Sequence, residues 1–298
     1  MWSGFIELSH LRPLDLGTEN AGIGSASEAL GALHSPDSAA LVVRLLSVDN
    51  VRLLSVDKRS GVTSVGDGIS ADTSRWTFEG TVANTFDAHV ARSVPLYRES
   101  HQLALDLSDY FVKTESLVYD IGCSTGSLTR LLFEKNRDKT TSIIGIDPVA
   151  EMIDFARNQH TAGSPSPEFV CDDVVTMTLS RSDYVVMFYT LQFIHPAVRQ
   201  LVVDKIYSSL NWGGALVLFE KVRAPDARFQ DLATGLYVEY KLRNGFELGE
   251  TAAKTRSLKG VLEPFSSLGN LDLLRRAGFS DVMTVSKFIC FEGFLAIK

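Results

Sequence analysis

The sequence has few cysteines and no long apolar run. Its three cysteines, Cys123, Cys171 and Cys290, are an odd number without the paired spacing of a zinc site. They predict neither a disulfide framework nor a metal site, and they suit a reducing compartment. No apolar stretch approaches the roughly 20 residues that cross a bilayer. The first ten residues also lack the basic and apolar regions of a secretory signal. We therefore expect a cytoplasmic protein without a membrane partner.

The chain also lacks a cluster of positive charge. Its 298 residues include 29 Lys and Arg against 36 Asp and Glu, which gives a formal net charge of -7. Proteins that bind nucleic acid through the phosphates gather Lys and Arg on one face. Direct nucleic-acid binding is therefore not expected. A hydrophobic content of 45% and a charged content of 22% fit a globular protein.

Aromatic side chains are absent between Phe5 and Trp76, where Ser, Ala, Gly and Asp are frequent. A tandem repeat lies in this segment, as Arg44-Leu-Leu-Ser-Val-Asp49 and Arg52-Leu-Leu-Ser-Val-Asp57. Two short copies are too few for a solenoid. We expect residues 1–74 to form an N-terminal extension that is weakly ordered or a small appendage, with a lid or partner-binding segment as the alternative. Residues 75–298 are expected to form the main domain.

Strands and helices alternate after Trp76. Helical spacing of apolar residues covers 80–92 and 95–112, and further helices are predicted at 127–135, 150–159, 198–210 and 271–277. Strands are predicted at 117–121, 142–146, 168–171, 183–189, 215–221, 282–288 and 291–297. This order predicts an α/β fold with a mainly parallel seven-stranded sheet and helices on both faces. The last two strands would pair as an antiparallel hairpin, with a turn or a bulge near Glu292 and Gly293.

A glycine loop follows the first predicted strand of the sheet, in Val118-Tyr-Asp-Ile-Gly-Cys-Ser-Thr-Gly126. Gly122 and Gly126 allow the backbone to approach a ligand closely, and the helix that follows offers free N–H groups. Asp120 precedes the glycines, so the loop differs from the dinucleotide fingerprint. A carboxylate there suits a ligand with an ammonium group, such as the amino-acid portion of S-adenosylmethionine (SAM).

Two further acids follow the next strands. Asp147 ends the second strand, where a carboxylate can accept hydrogen bonds from both ribose hydroxyls. Asp173 follows the third strand, where it could reach an adenine amino group beside Val174. A solvated loop end or a helix cap is the alternative for Asp172 and Asp173. The three-part pattern predicts a SAM site, and a site for another nucleotide is the alternative.

From about residue 75 onward the chain resembles the carboxy-S-adenosylmethionine synthase family, which belongs to the class I SAM-dependent methyltransferases. The resemblance is carried by Trp76-Thr-Phe-Glu79, Arg92-Ser-Val-Pro-Leu-Tyr97, Val118-Tyr-Asp-Ile-Gly-Cys-Ser124, Thr190-Leu-Gln-Phe193, Asp204-Lys-Ile-Tyr207, Gly213-Gly-Ala-Leu-Val-Leu218, Glu220-Lys221, Asn244-Gly245 and the turn that ends at Phe279. It implies a Rossmann-like fold and an enzyme that makes carboxy-SAM from SAM and prephenate, for the modification of the wobble uridine of transfer RNA. It also implies a homodimer.

The resemblance also implies roles for individual residues. Tyr97 and Arg256 are the catalytic candidates, and Arg256 would bind the carboxylate of the product. The cofactor-binding candidates for SAM or carboxy-SAM are Tyr97, Asp120, Gly122, Cys123, Ser124, Gly126, Asp147, Pro148, Asp173, Val174 and Phe188.

Two of these positions depart from the family, because Pro148 and Phe188 both replace Asn. An aromatic ring at Phe188 removes a hydrogen-bonding side chain beside the cofactor, so two reactions stay open. Carboxy transfer from dianionic prephenate needs cations, for which the sequence offers Arg92, Arg223, Arg243 and Arg256. Methyl transfer to a small-molecule acceptor needs positioning and exclusion of water. A non-catalytic SAM-binding partner protein is the third possibility.

Other polar residues have a structural and a functional interpretation. His195 could be a general base, but a lone histidine at a strand–helix junction is more often structural. Cys123 has no partnered base, so a nucleophilic role is not expected. A lid helix is expected around Tyr237, Tyr240, Lys241 and Arg243, with either an amphipathic surface or a substrate-facing side.

Overall fold

The computed structural model describes residues 63–66, 69–159 and 164–298. The tandem repeat and the rest of residues 1–62 lie outside the described residues, so the predicted weak order of the extension stays a prediction. No helix of the described chain is both long enough and apolar enough to cross a membrane.

Strands and helices alternate through the described chain as the sequence predicts. The strands are β1 (Thr63–Gly66), β2 (Ile69–Ala71), β3 (Leu117–Ile121), β4 (Ser142–Asp147), β5 (Glu168–Cys171), β6 (Ser182–Phe188), β7 (Leu210–Lys221), β8 (Asp281–Phe288) and β9 (Phe291–Ile297). The α-helices are α1 (Phe86–Ser93), α2 (Tyr97–Phe111), α3 (Ser127–Lys135), α4 (Ala150–Asn158), α5 (Arg199–Ser209), α6 (Ala227–Arg243), α7 (Leu248–Ser257) and α8 (Ser267–Ala277). Short 3-10 helices cover Gly80–Asn84, Arg137–Lys139, Leu191–Phe193 and Pro196–Val198.

The main sheet has seven strands in the order β5-β4-β3-β6-β7-β9-β8. The five strands from β5 to β7 are parallel, and the β8–β9 hairpin is antiparallel at one edge. The fold prediction is therefore confirmed. The chain moves outward from β3 to β4 and β5, then returns to the other side of β3 with β6. This reversal creates a switch point at the carboxyl end of β3, where ligands bind in folds of this kind.

Two hydrophobic cores cover the faces of the sheet, because successive residues of a strand point in opposite directions. Tyr119 and Val185 enter the core that α5 and α8 cover, whereas Val118 and Val186 enter the core under α2 and α3. All four side chains are buried. Because a helix layer covers each face of the sheet, the central parallel strands carry apolar side chains on both faces.

The C-terminal hairpin resolves the two alternatives at Gly293. The strand register shifts between Thr284 and Ser286, and Ser286 pairs with Gly293, so this position faces a bulge. The turn itself lies at residues 289–290, where Ile289 has a φ of 51°. A Cβ on Gly293 would come within 2.5 Å of the Phe219 ring, so glycine makes room for that ring.

The folded domain begins earlier than residue 75. β1 and β2 pair antiparallel, and Val65 on β1 is buried with Trp76, Met152 and Ala253. The boundary placed after residue 74 thus lies inside the packed unit. The absence of aromatic residues suggested an unpacked segment, but Val65 packs β1 against aromatic and aliphatic partners supplied by the domain.

One lysine of α5 fixes the turn that follows β5. The Lys205 ammonium group donates hydrogen bonds to the carbonyl oxygens of Val174, Val175 and Met177, at 2.8, 2.9 and 2.6 Å. Asp173 begins the same turn, because its Oδ1 accepts the Val175 N–H at 2.8 Å. Three carbonyl groups of a turn that no strand pairs are thus satisfied by one side chain.

We predict that Lys205→Met lowers the free energy of unfolding by about 2 kcal/mol, because hydrogen bonds to a charged donor are lost and the carbonyls stay half-buried. Urea denaturation would measure the change. Lys135→Met is the control, since Lys135 makes an exposed ion pair with Asp109 at 2.9 Å and should cost less than about 1 kcal/mol. Equal midpoints for the two variants would contradict this account of the turn.

Candidate active site

A cavity of about 790 Å³ opens at the carboxyl ends of the parallel strands, at the switch point beside β3. Loops after β3, β4, β5, β6 and β7 line it, and α6 and α7 cover its other side. Its size is in the range of small-molecule sites.

The glycine loop is held against the end of β4 by backbone hydrogen bonds. The N–H groups of Gly122 and Cys123 donate to the Ile146 carbonyl at 2.7 and 3.0 Å. Gly122 has a φ of 75°, and a Cβ there would overlap the Thr190 side chain. Only glycine fits this position, and its backbone therefore forms part of the cavity wall. Ser124, with a φ of 52°, turns the chain into α3.

The Asp147 carboxylate connects this loop to the β4–α4 turn. Its Oδ2 accepts the Ser124 N–H and its Oδ1 accepts the Val149 N–H, both at 2.9 Å. Burial raises the pKa of Asp147, and the two backbone hydrogen bonds oppose that rise. Each oxygen keeps a further acceptor site, so the carboxylate can receive two vicinal hydroxyl groups from the cavity.

Asp120 is a buried carboxyl group at the centre of the site. Its Oδ2 accepts the Thr129 hydroxyl at 2.6 Å. Burial raises the pKa of Asp120 to about 7, the hydrogen bond from Thr129 opposes the rise, and the nearby Asp147 charge adds to it. A carboxyl group poised near neutral pH can ionise when a cationic ligand arrives beside it.

Aromatic side chains form the wall opposite the glycine loop. Tyr97 begins α2 directly after Leu96, whose φ is 56°, and its ring lies 4.3 Å from that of His101. Burial first, and then the charges of Asp87 and Asp120, raise the pKa of Tyr97 above its usual range. Tyr97 therefore stays protonated and can act as a donor.

Phe188 is the apolar part of this wall. Its ring stacks on Phe219 at 4.5 Å, and His101 meets it edge-on at 5.2 Å. Burial lowers the pKa of His101 to about 4, so this imidazole is neutral at physiological pH. The wall thus presents no charge to the cavity.

The end of β5 supplies the remaining predicted residues. Asp172, Asp173 and the buried Val174 line the cavity, as does Pro148 from the neighbouring loop. One carboxylate oxygen of Asp173 already caps the turn. Asp173 thus caps a turn and not a helix, and its other oxygen stays available to a ligand.

Ten of the predicted site residues meet around this one cavity: Tyr97, Asp120, Gly122, Cys123, Ser124, Asp147, Pro148, Asp173, Val174 and Phe188. Gly126 does not line it. Gly126 instead caps α3 with a φ of 73°, and a Cβ there would overlap the Phe169 ring on the far side of the loop. Its role in this structure is packing.

The structure does not bring Arg256 to the cavity. The Arg256 side chain is exposed, and its carbonyl oxygen accepts the Ser74 N–H at 3.1 Å. Helix α7 turns another face inward, with Thr251, Lys254, Thr255 and Leu258. These positions share one helical stripe, and Arg256 lies outside it. The resemblance to the family pointed to Arg256, whereas the structure turns Lys254 of the same helix toward the cavity.

The cations that do line the cavity are mostly lysines. They are Lys221, Arg223, Lys241, Lys254 and Lys259. Of the four arginines expected to bind an anionic substrate, only Arg223 is among them. Arg92 instead donates to the Asn244 carbonyl at 3.1 Å and stacks over Phe246, while Arg243 is exposed. The position of Lys221 at the end of a buried strand was the sequence signal for a cavity-lining cation, because strand ends of a parallel sheet face the ligand site.

The helix that is expected from the sequence to be a lid turns one of its sides to the cavity. On α6, Tyr237 and Lys241 line the cavity, and Lys241 is only 6% exposed. His195 also lines the cavity, but its Nδ1 accepts the Ala197 N–H at 3.2 Å, which favours the structural role. Burial raises the pKa of the Cys123 thiol, so it stays protonated and is not a nucleophile.

Comparison with known proteins agrees with this arrangement. The family described as a methyltransferase domain matches residues 118–214. The carboxy-S-adenosyl-L-methionine synthase of Campylobacter lari is 35% identical over 224 residues, which cover 75% of this chain and 95% of the relative. The enzyme of the same name from Staphylococcus epidermidis is 34% identical over 225 residues, covering 75% of this chain and 97% of the relative.

A solved structure with the same fold is that of the plantazolicin methyltransferase BpumL, in complex with a triazolic desmethylPZN analog and SAH. Its TM-score is 0.53 at 13% identity, and the match covers 72% of this chain and 90% of that one. This likeness supports the fold alone. With the coverage of the two synthases, the chain belongs to the carboxy-S-adenosyl-L-methionine synthase family and is a SAM-dependent transferase.

Proposed function

We propose that this enzyme makes carboxy-SAM from SAM and prephenate. The observation that carries the proposal is the division of charge across the cavity. Asp120, Asp147 and Asp173 lie at the ends of β3, β4 and β5, whereas Lys221 and Lys241 lie on β7 and α6. The acidic side suits a cationic sulfonium compound with ribose hydroxyls, and the basic side suits a dianionic second substrate.

The residues of the acidic side fit SAM. Asp147 would accept the ribose hydroxyls, and Asp120 with Tyr97 would hold the amino-acid and sulfonium end. The backbone at Gly122, Cys123 and Ser124 would pass beside the same end. Pro148 would border the nucleoside, while Val174 and Asp173 would frame the adenine. Support comes from the glycine-only wall at Gly122 and from the two bound N–H groups that fix the orientation of Asp147.

The reaction balances without an oxidant or reductant. Loss of carbon dioxide and hydroxide from prephenate leaves phenylpyruvate. The hydroxide takes a proton from the sulfonium methyl group and becomes water, and a carbon–carbon bond forms between that methyl carbon and the carbon dioxide. The enzyme must hold both substrates close and keep bulk water away, so that the carbon dioxide is captured before it escapes.

Methyl transfer to a small-molecule acceptor is the second candidate. Its support is the stacked pair of Phe188 and Phe219, 4.5 Å apart, which gives the reacting end an apolar wall where the family has a polar residue. An aromatic acceptor could lie against this wall.

We further propose a homodimer that acts in the cytoplasm without direct contact to nucleic acid. Free thiols, including the exposed Cys171, suit a reducing compartment. On α6, Phe229, Leu232 and Leu236 follow one another at helical spacing and are each about half exposed. A second copy of this chain that packs on the stripe would remove it from water. The product would serve in the modification of transfer RNA by another enzyme.

The proposed reaction predicts a product heavier than SAM by one carbon dioxide. We expect it when the purified protein is incubated with SAM and prephenate, together with an equal amount of phenylpyruvate, and mass spectrometry would detect both. Omitting prephenate is the control. SAM left unchanged beside prephenate, with S-adenosylhomocysteine formed when aromatic acceptors are added, would instead establish the methyltransferase.

A pH dependence follows from Asp120, whose pKa is raised to about 7 by burial. An ammonium ligand favours the ionised carboxylate, so below this pKa binding must release a proton. As the pH rises from about 5 to about 7, the Kd for SAM should therefore fall by about tenfold per pH unit, and above about pH 7 it should level off. Calorimetry would measure it. Asp120→Asn should bind weakly with no such slope, and a flat profile for the unmodified protein would refute the role of Asp120.

The dimer predicts that a charge on the α6 stripe separates the subunits. Light scattering should give twice the chain mass of 32.7 kDa for the protein and the chain mass itself for Leu232→Lys. Leu201→Lys on α5 is the matched control, because Leu201 is similarly exposed but lies on another helix. A monomeric parent protein, or an unchanged dimer in Leu232→Lys, would exclude this interface.

A further inference from the structure

Two lysines from different elements meet at one tyrosine ring. Lys221 is the last residue of β7, and Lys241 lies near the end of α6. Their ammonium nitrogens lie 4.4 and 5.0 Å from the centre of the Tyr237 ring, and Lys221 also lies 5.9 Å from the Phe291 ring. All four side chains line the cavity. Two positive charges are thus held beside aromatic faces at its basic end.

Neither ammonium group has a hydrogen-bond or ion-pair partner among the residues that the structure describes. Glu220 precedes Lys221, but its Oε1 accepts the Leu191 N–H at 3.1 Å, and burial raises the pKa of Glu220 to about 8. Cys290 lies near both lysines, but burial raises the pKa of its thiol and keeps it neutral. Arg223 adds a like charge to Lys221.

Two cations at such a place repel each other and lose hydration. Burial and then the charge of Lys221 lower the pKa of Lys241 to about 8. Contacts to aromatic faces compensate only a part of this cost. A ligand that brings two negative charges would remove both the repulsion and the lack of partners, whereas one carboxylate would serve a single lysine.

We propose that Lys221 and Lys241 form a two-point subsite for a small dicarboxylate, in which each ammonium group binds one carboxylate. The Tyr237 and Phe291 rings would pack against the hydrocarbon ring or chain that joins the two carboxylates. That this dicarboxylate is the carboxy donor rests on the proposed function, while the subsite itself does not.

Binding of two related acids tests the subsite. Prephenate carries two carboxylates and phenylpyruvate carries one, and both can be titrated by calorimetry into the protein saturated with S-adenosylhomocysteine. We expect prephenate to bind more tightly. Lys221→Met and Lys241→Met should each weaken prephenate binding by about tenfold to a hundredfold. The preference for prephenate over phenylpyruvate should then disappear, and Lys241→Arg should restore part of it.

Two controls distinguish a loss of prephenate recognition from a loss of folded structure in the methionine variants. The affinity for SAM should change less than about twofold in the methionine variants, because the acidic side is untouched. Lys113→Met is the matched control, since Lys113 is exposed and does not line the cavity. Methionine variants that bind SAM normally and keep their prephenate affinity would overturn the subsite. Parallel loss of SAM and prephenate binding would also overturn it, as it would reveal a structural role.

The outcome also separates the subsite from the proposed function. If prephenate binds in a lysine-dependent way but no carboxy-SAM forms, the subsite stands and the proposed reaction is wrong. If carboxy-SAM forms and the KM for prephenate is the same in Lys221→Met and Lys241→Met as in the parent protein, the reaction stands and the subsite is wrong.

Discussion

The site depends on how the loop after β3 is fixed to the end of β4. Three consecutive N–H groups, from Gly122 to Ser124, are bound by the Ile146 carbonyl and the Asp147 carboxylate. The chain can follow this path only because residue 122 is a glycine in contact with Thr190. The same bonds orient Asp147 and open the space in front of Asp120. The same hydrogen bonds therefore fix both the path of the loop after β3 and the orientation of the Asp147 carboxylate.

The order of the strands in the sheet separates the acidic residues from the basic residues of the cavity. The parallel strands end at a single edge, so the loops that follow these strands line the same cavity. Asp120 and Asp147 lie at the ends of β3 and β4, and Asp173 follows β5. Lys221 ends β7 on the other side of the switch point. A sulfonium compound and an anion attract each other, and a cavity with this polarity can hold them side by side in a defined order.

Much of this could be predicted from the sequence, because strands β3 to β7 carry their own signals. Apolar runs predict strands that overlap the observed ones, and the strand ends point to Asp120 and Asp147. Lys221 also ends a strand, but the cations expected from the sequence to bind the anionic substrate are arginines. Helix α7 carries a weaker signal, since its polar residues lie on every side and the inward stripe is set only by packing. The resemblance to the family points to Arg256 in this helix, but only packing shows that Lys254 faces the cavity. Gly293 was ambiguous because its neighbour Phe219 is distant in sequence.

The last two residues of β7, Glu220 and Lys221, point in opposite directions, one into the protein interior and the other into the cavity. Alternation along the strand sends Glu220 to the inner side, where its carboxyl group accepts the Leu191 N–H and lies near the buried Arg199. Arg199 in turn donates to the Gln192 carbonyl, so the loop after β6 is fixed from within. The next residue, Lys221, faces the cavity. A shift of one residue in β7 would therefore either bury Lys221 beside Arg199 or place Glu220 at the cavity position that Lys221 now holds, depending on its direction.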